Sequence, residues 1–406
     1  MSDKSEEKLT ENIETTESPE TVNEEVKAEE VQKEKFIDRV KKFFVNCFTT
    51  VKEFFKNLFK SKKKKRAEEL EQEVHVQVQY LSEETKEEDT SDNLIEIKNL
   101  KKYFYVPAGT NHAVDDITMT IKRGRTMGVV GESGCGKSTL GRTIIRLHDA
   151  TSGHIYLEGK EITDVKGKDL RAVREKMQII FQDPYASLNP RYSIDEVIRE
   201  PLQVSKRYAK SEIDERVSEL MDRVGVEERL RYSYPHELDG GRRQRIGIAR
   251  SIALNPDFIL CDEPVSALDV SIQAQVLNLL MDLQEEKKLT YMFVTHDLSV
   301  VKHISDDISV MYLGQLVETS PAKRLFESPL HPYTKALLSA IPSTDIDHPM
   351  QRILLKGEIT SAINPQPGCR FAKRCPYAKE ECLQPQVLQE VEPNHFVSCC
   401  RVKEVN

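Results

Sequence analysis

The sequence predicts an α/β fold built around a phosphate-binding loop, and three observations carry that prediction. Short apolar, β-rich runs alternate with helical stretches from Leu94 onward, the pattern of a sheet covered by helices. One of those runs, Thr126–Val130, leads into Gly131-Glu-Ser-Gly-Cys-Gly-Lys137-Ser138. This is a GxxxxGK[ST] loop set between strand and helix, the context the motif requires. A second run, Phe258-Ile-Leu-Cys261, closes on two acids, Asp262 and Glu263.

The chain has 406 residues, 38% of them hydrophobic, enough for one large domain or two ordinary ones with extras. A net charge of −8 excludes the global basic footprint of a nucleic-acid binder. Residues 1–34 are rich in Glu, Thr and Ser and hold no aromatic residue. Too little apolar surface is present to offset ordering entropy, so this segment is read as acidic and disordered. Residues 35–66 carry twelve Lys/Arg against two Asp/Glu. Their Phe-rich apolar positions fall on one side of a helix, and Lys42, Lys52, Lys56 and Lys60 on the other, which predicts a basic amphipathic helix. Such a helix suits an anionic membrane surface, or docking onto a membrane subunit or another protein. Residues 67–92 read as an acidic linker.

No apolar h-region follows a basic start, and no apolar stretch reaches membrane-spanning length. Both point to a cytosolic chain with reduced thiols, so clustered cysteines suggest metal rather than disulfides. Residues 93–320 are expected to form the nucleotide-hydrolysing domain. Its strand candidates are Leu94–Ile97, Thr126–Val130, Met177–Phe181, Phe258–Cys261 and Tyr291–Thr295. Residues 184–250 have a helical pattern that interrupts the strands and are read as an inserted helical subdomain. Residues 321–406 form a Pro-containing tail ending in a cysteine cluster.

The loop chemistry follows from its residue types. The glycines let backbone N–H groups turn inward around phosphate, and the following helix adds favourable dipole potential. Lys137 would reach the β/γ-phosphates and Ser138 would ligate Mg²⁺. Asp262 would hold the metal directly or through water, and Glu263 would polarise the attacking water. Acids after a strand are ordinary loop residues in isolation. Paired with the phosphate loop they become a candidate ATP and Mg²⁺ site.

With these motifs the chain resembles the ABC ATPase family, a P-loop NTPase fold with an inserted helical subdomain. The resemblance assigns Gly131, Ser133, Gly134, Cys135, Gly136, Lys137, Ser138 and Thr139 to nucleotide binding. It matches Gln182 to the glutamine that senses Mg²⁺ and water, His296 to the γ-phosphate switch, and Asp269, in Ser266-Ala-Leu-Asp269, to the D-loop. Phe104 is matched to the adenine-stacking aromatic, with Tyr103 and Tyr105 as neighbours one residue away. Leu238-Asp-Gly-Gly-Arg242 occupies the signature position, which places Gly240 and Gly241 against a partner's nucleotide. Phe181-Gln-Asp-Pro-Tyr-Ala-Ser-Leu-Asn-Pro-Arg191, Glu263–Gln275 and His331-Pro-Tyr-Thr-Lys-Ala-Leu-Leu338 are similar to the oligopeptide/dipeptide importer branch, and within it to the second of two paired ATPases. The resemblance implies a second ATPase, two membrane permease subunits and an extracytoplasmic binding protein as partners, at the cytoplasmic face of the membrane. Nickel, glutathione or sugar transport, and a nucleotide-binding scaffold with little turnover, are the alternatives it leaves.

One departure has consequences. Asp239 stands where the family signature usually has serine, and Arg242 where it has glutamine. A carboxylate cannot donate to a γ-phosphate, and like charges about 4 Å apart at an effective dielectric near 20 cost roughly 4 kcal/mol per unit pair. The expectation is a heterodimer in which the site covered by this signature is the weaker.

Cys369, Cys375, Cys382 and Cys399 recur near the C-terminus, with Cys400 adjacent to the last. Four thiolates can close a zinc site or ligate a four-iron cluster. The spacings lack a short CxxC knuckle, so chemistry alone leaves both open. The resemblance implies a [4Fe–4S] cluster, with zinc second. Cys400 stands where the family often has histidine, which leaves the ligand at that pair open.

Overall fold

The computed structural model describes residues 92–341, 352–355, 357 and 361–406. The acidic leader, the amphipathic helix and the linker up to residue 91 lie outside them. Continuous apolar runs become the centre of a parallel sheet, because such strands are covered on both faces. Strands β3 (Thr126–Val130), β7 (Phe258–Asp262) and β8 (Thr290–Thr295) are buried at every position. With β6 (Met177–Ile180) and β9 (Asp307–Tyr312) they run parallel in the order β9-β3-β8-β7-β6. The carboxyl ends of β3, β8, β7 and β6 therefore lie side by side. They lead into the phosphate loop, His296, Glu263 and Gln182 respectively. Ligands of open α/β sheets bind at that edge.

A second sheet packs across this one. Strands β1 (Asn93–Val106), β2 (Gly109–Lys122), β4 (Ser152–Leu157) and β5 (Lys160–Glu161) form an antiparallel sheet in the order β2-β1-β4-β5. The helix after the phosphate loop, α1 (Lys137–Ile144), lies in the core between the two sheets. Leu140 and Ile144 pack there with Ile95, Val114 and Ile155 from one side and Val129, Leu260 and Met292 from the other. Helix α2 (Gly167–Lys176) then leads into β6.

Between β6 and β7 the described chain is helical. The elements are α3 (Ile194–Ser205), α4 (Lys210–Arg223) and α5 (Gly240–Ile252), with shorter turns. Helix α3 starts at a capping box in which Ser193 and Glu196 satisfy each other's backbone N–H. Ile198, Leu202, Val217, Met221 and Ile248 form the apolar interior of this segment. After β7 come α6 (Val270–Lys287), β8, α7 (Leu298–Ile304) and β9.

The sheet does not stop at the expected boundary near residue 321. Strand β10 (Gln315–Pro321) pairs antiparallel with β9, β12 (His395–Val397) pairs with β10, and β11 (Gln389–Glu392) pairs with β12. The C-terminal tail thus completes the main sheet. Helices α8 (Ala322–Glu327) and α9 (Pro332–Ser339) fill the space between. Among the described residues no helix is long and apolar enough to cross a membrane.

Candidate nucleotide site

The loop after β3 is shaped by glycine. Gly131, Gly134 and Gly136 have φ of 154°, 77° and 107°, a region that side chains rarely adopt. A Cβ on Gly131 would lie 2.1 Å from the Met311 carbonyl oxygen, and one on Gly136 would lie 2.0 Å from that of Ala113. Lys137 is only 4% exposed. Its Nζ folds back across the loop and donates to the carbonyls of Gly131 at 2.9 Å and Glu132 at 3.1 Å. Burial pushes the Cys135 thiol above its ordinary pKa, with Lys137 opposing.

Ser138 and Asp262 meet beside the loop. Ser138 Oγ donates to Asp262 Oδ1 at 2.6 Å, while Arg142 donates to Oδ2 through Nε at 3.1 Å and Nη2 at 2.9 Å. Asp262 is fully buried, so its carboxylate needs these partners. Arg142 escaped the sequence reading. Its position one helical turn after Ser138 was the available signal.

A second convergence lies one residue on. Gln182 Nε2 donates to Glu263 Oε2 at 2.8 Å, and His296 Nδ1 lies 3.4 Å from the same oxygen. Three loops from three strands therefore bring a carboxylate, an amide and an imidazole together. Glu263 holds φ at 50° while its N–H donates to Val294 at 2.9 Å. A non-glycine residue there costs about 1–3 kcal/mol, and such strain concentrates at functional sites.

On the β1–β2 side, Phe104 is half-buried, with Lys102 Nζ 4.9 Å above its ring and His148 edge-on at 5.9 Å. Its neighbour Tyr103 is committed elsewhere. Its ring stacks on His112 at 4.0 Å and its hydroxyl donates to Asp115. Tyr105 is 82% exposed. Of the three, Phe104 is half-buried and has no polar tie, its ring meeting Lys102 and His148.

The signature residues form their own patch at the start of α5. Asp239 caps that helix by accepting the Arg242 N–H at 2.8 Å. Its other oxygen lies 3.3 Å from Arg242 Nη1, and Arg242 Nη2 reaches Glu227 at 3.5 Å. A Cβ on Gly241 would lie 2.6 Å from Ile272 of α6. Asp269 is the exposed residue that precedes α6. Among the described residues no hydrogen bond joins Asp239, Gly240 or Gly241 to the phosphate loop.

The family model described as ABC transporter matches residues 114–266, and the oligopeptide/dipeptide transporter C-terminal region matches residues 317–382. The chain is 50% identical over 319 residues to the oligopeptide transport ATP-binding protein AppF of Bacillus subtilis, covering 76% of this chain and 97% of that one. It is 52% identical over 310 residues to the oligopeptide transport ATP-binding protein OppF of Escherichia coli, covering 76% and 93%. The chain belongs to the ABC transporter ATP-binding family. The fold of this ABC ATPase is similar to a dimeric ATP-binding cassette solved in a post-hydrolysis state with ADP and Pi. The TM-score is 0.53 at 30% identity, over 56% of this chain and 99% of that one.

In this ABC ATPase, Cys369, Cys375, Cys382 and Cys399 line one narrow recess, with His331, Phe371 and Arg401 among the other walls. Burial and the neighbouring thiols push Cys369 up to about 12. Cys382 Sγ lies 3.9 Å from Cys400 Sγ. Among the described residues no three His, Cys, Asp or Glu side chains are placed to hold one metal ion. The expected zinc or iron–sulfur site is corrected to this extent: the four thiols surround a shared space without converging on a single-ion position.

Proposed function

We propose that this chain binds and hydrolyses ATP as a subunit of an importer of oligopeptides or dipeptides. One observation carries the reading. The loops after β3, β6, β7 and β8 bring Lys137, Ser138, Asp262, Glu263, Gln182 and His296 to one sheet edge, in a chain whose tail matches the oligopeptide/dipeptide transporter region.

The residues divide the work by chemistry. Backbone N–H groups toward the end of the loop, at the start of α1, and the Lys137 ammonium bind the phosphates. Ser138 and Asp262 fit Mg²⁺, since a hydroxyl and a carboxylate 2.6 Å apart form a hard oxygen pair. Bound there, Mg²⁺ would neutralise charge on the transferring phosphate. Glu263 takes the proton of the attacking water, Gln182 orients that water, and His296 supports the terminal phosphate. Phe104 offers its face to adenine. Glu263→Gln is expected to keep ATP affinity and lower turnover by about 10²–10⁴-fold. ATP hydrolysis by the complex reconstituted with its membrane and binding-protein subunits should rise when oligopeptide is added. A rate indifferent to peptide would overturn the transport reading.

Gly240, Gly241 and Asp269 are assigned to the nucleotide held by a second ATPase subunit. The carboxylate of Asp239 already accepts one N–H and faces one guanidinium, so its repulsion of phosphate is partly neutralised. The assigned outcome is a heterodimer with unequal sites. Transport should suffer more from Glu263→Gln than from the matching change in the partner, and the reverse order would sink the asymmetry.

The four thiols that line the recess are the donor type a four-iron cluster takes, with zinc the alternative. Cys369, Cys375, Cys382 and Cys399 would hold the cluster after losing their protons, and it would cross-link the tail. Anaerobic purification with iron and sulfide analysis tests this. Stoichiometric zinc in a colourless protein would refute it.

A further inference from the structure

The segment between Cys369 and Cys375 does more than carry cysteines. It sends two arginines toward the nucleotide edge, and both side chains are nearly buried. Arg374 Nη1 donates to Glu132 Oε2 at 2.7 Å, and Glu132 is the second residue of the phosphate loop. The Glu132 N–H donates to the Tyr333 hydroxyl at 2.9 Å, so α9 holds the same residue by its backbone. Arg370 donates to the Leu313 carbonyl and to Asp115. Next to Leu313, the Gly314 N–H donates to the Cys135 carbonyl of the phosphate loop at 2.7 Å. Asp115 in turn holds Tyr103, the residue before Phe104. Burial pushes the Asp115 carboxyl up, but Tyr103, His112 and Arg370 outweigh it and hold it below the usual range.

A glycine-rich loop left free must be ordered when phosphate binds, and that ordering subtracts from affinity. Here Glu132 is tied by Arg374 and Tyr333 of the C-terminal extension, and Cys135 by Gly314 in the β9–β10 turn, which Arg370 holds at Leu313. We propose that Arg374 and Arg370 are positioning residues for ATP, through which the C-terminal extension sets the shape of the phosphate loop and the stance of the adenine-side strand. The proposal rests on Gly131–Ser138 being the ATP site. It assigns the tail a part in nucleotide affinity that neither half of the chain carries alone.

The test measures Mg-ATP affinity and steady-state hydrolysis on the full-length chain assembled with its partner subunits. Arg374→Gln should weaken ATP binding about tenfold, the size of one charge-assisted hydrogen bond lost from a preorganised loop. Turnover at saturating ATP should stay close to wild type, because Glu263, Gln182 and His296 are untouched. Arg374→Lys should recover part of the affinity, since lysine keeps the charge but not the planar fork. Glu132→Gln breaks the pair from the loop side and keeps the test alive if the arginine variant misfolds. The double variant should bind no worse than the weaker single one, the sign of a shared interaction. Variants that lose thermal stability while binding ATP like wild type would reduce the arginines to fold stability and overturn the proposal. Absence of ATP binding by the wild-type chain would instead sink the ATP-site reading itself.

Discussion

Gly136 shows how little freedom single residues have at this site. Its φ of 107° and the Ala113 carbonyl 2.0 Å from a would-be Cβ mean that any side chain must displace backbone. Gly136→Ala is expected to cost about 2–4 kcal/mol, combining overpacking with a conformation alanine resists. ATP affinity should be lost with it, because the loop can no longer close around phosphate. Denaturant unfolding and nucleotide titration check the two halves separately. Gly134 is the useful contrast. A Cβ there meets nothing within 4 Å although φ is 77°, so Gly134→Ala should bear only the backbone cost, about 1–2 kcal/mol.

Helix α9 illustrates pH dependence at the scale of an element. His331 precedes Pro332 and caps the helix, with Nδ1 accepting the Tyr333 N–H at 3.1 Å. An accepting Nδ1 must be unprotonated. Burial lowers the His331 pKa to about 4 against an ordinary 6.5, although Glu318 opposes the shift. The unfolded chain therefore binds the extra proton between those values. The stabilisation is present above pH 6.5 and is lost as pH falls toward 4, amounting to about 3 kcal/mol at most. Thermal unfolding between pH 7.5 and 5 should show the loss. His331→Asn, which keeps a capping acceptor but cannot titrate, should flatten this component of the slope. An unchanged slope would refute the assignment.

The whole molecule is joined at Glu318 on β10. Its Oε1 accepts from the Leu330 N–H at 2.7 Å and faces His395 Nε2 at 2.7 Å, and its Oε2 accepts from the His331 N–H at 2.9 Å. Glu318 and His395 are both fully buried. The pair ties β12 to β10 and the start of α9. His395→Ala leaves a buried carboxylate short of one partner, and loss of one member of such a pair costs about 3–5 kcal/mol. Because β12 belongs to the main sheet, urea unfolding should shift as one transition rather than reveal a separately melting tail.

The sequence by itself determined the chemistry that is local. The phosphate loop, the acids Asp262 and Glu263 at the end of β7, the glutamine after β6 and the histidine after β8 were legible because each motif is contiguous and each strand before it is mostly apolar. Strands β2, β4, β5 and β9 to β12 were not read. In β2 the alternation of buried Ile117, Met119 and Ile121 with exposed Thr118, Thr120 and Lys122 was an available signal, whereas β5, β11 and β12 are too short to show a period. Only the tertiary structure decided which loops share Glu263, that Tyr103 serves Asp115 while Phe104 lies against Lys102 and His148, and that the tail enters the main sheet. Arg374 and Glu132 are separated by 242 positions, and no periodicity or motif links residues so far apart. Their meeting is fixed by strand pairing between β9, β10 and β12, a non-local choice made by the packing of the whole chain.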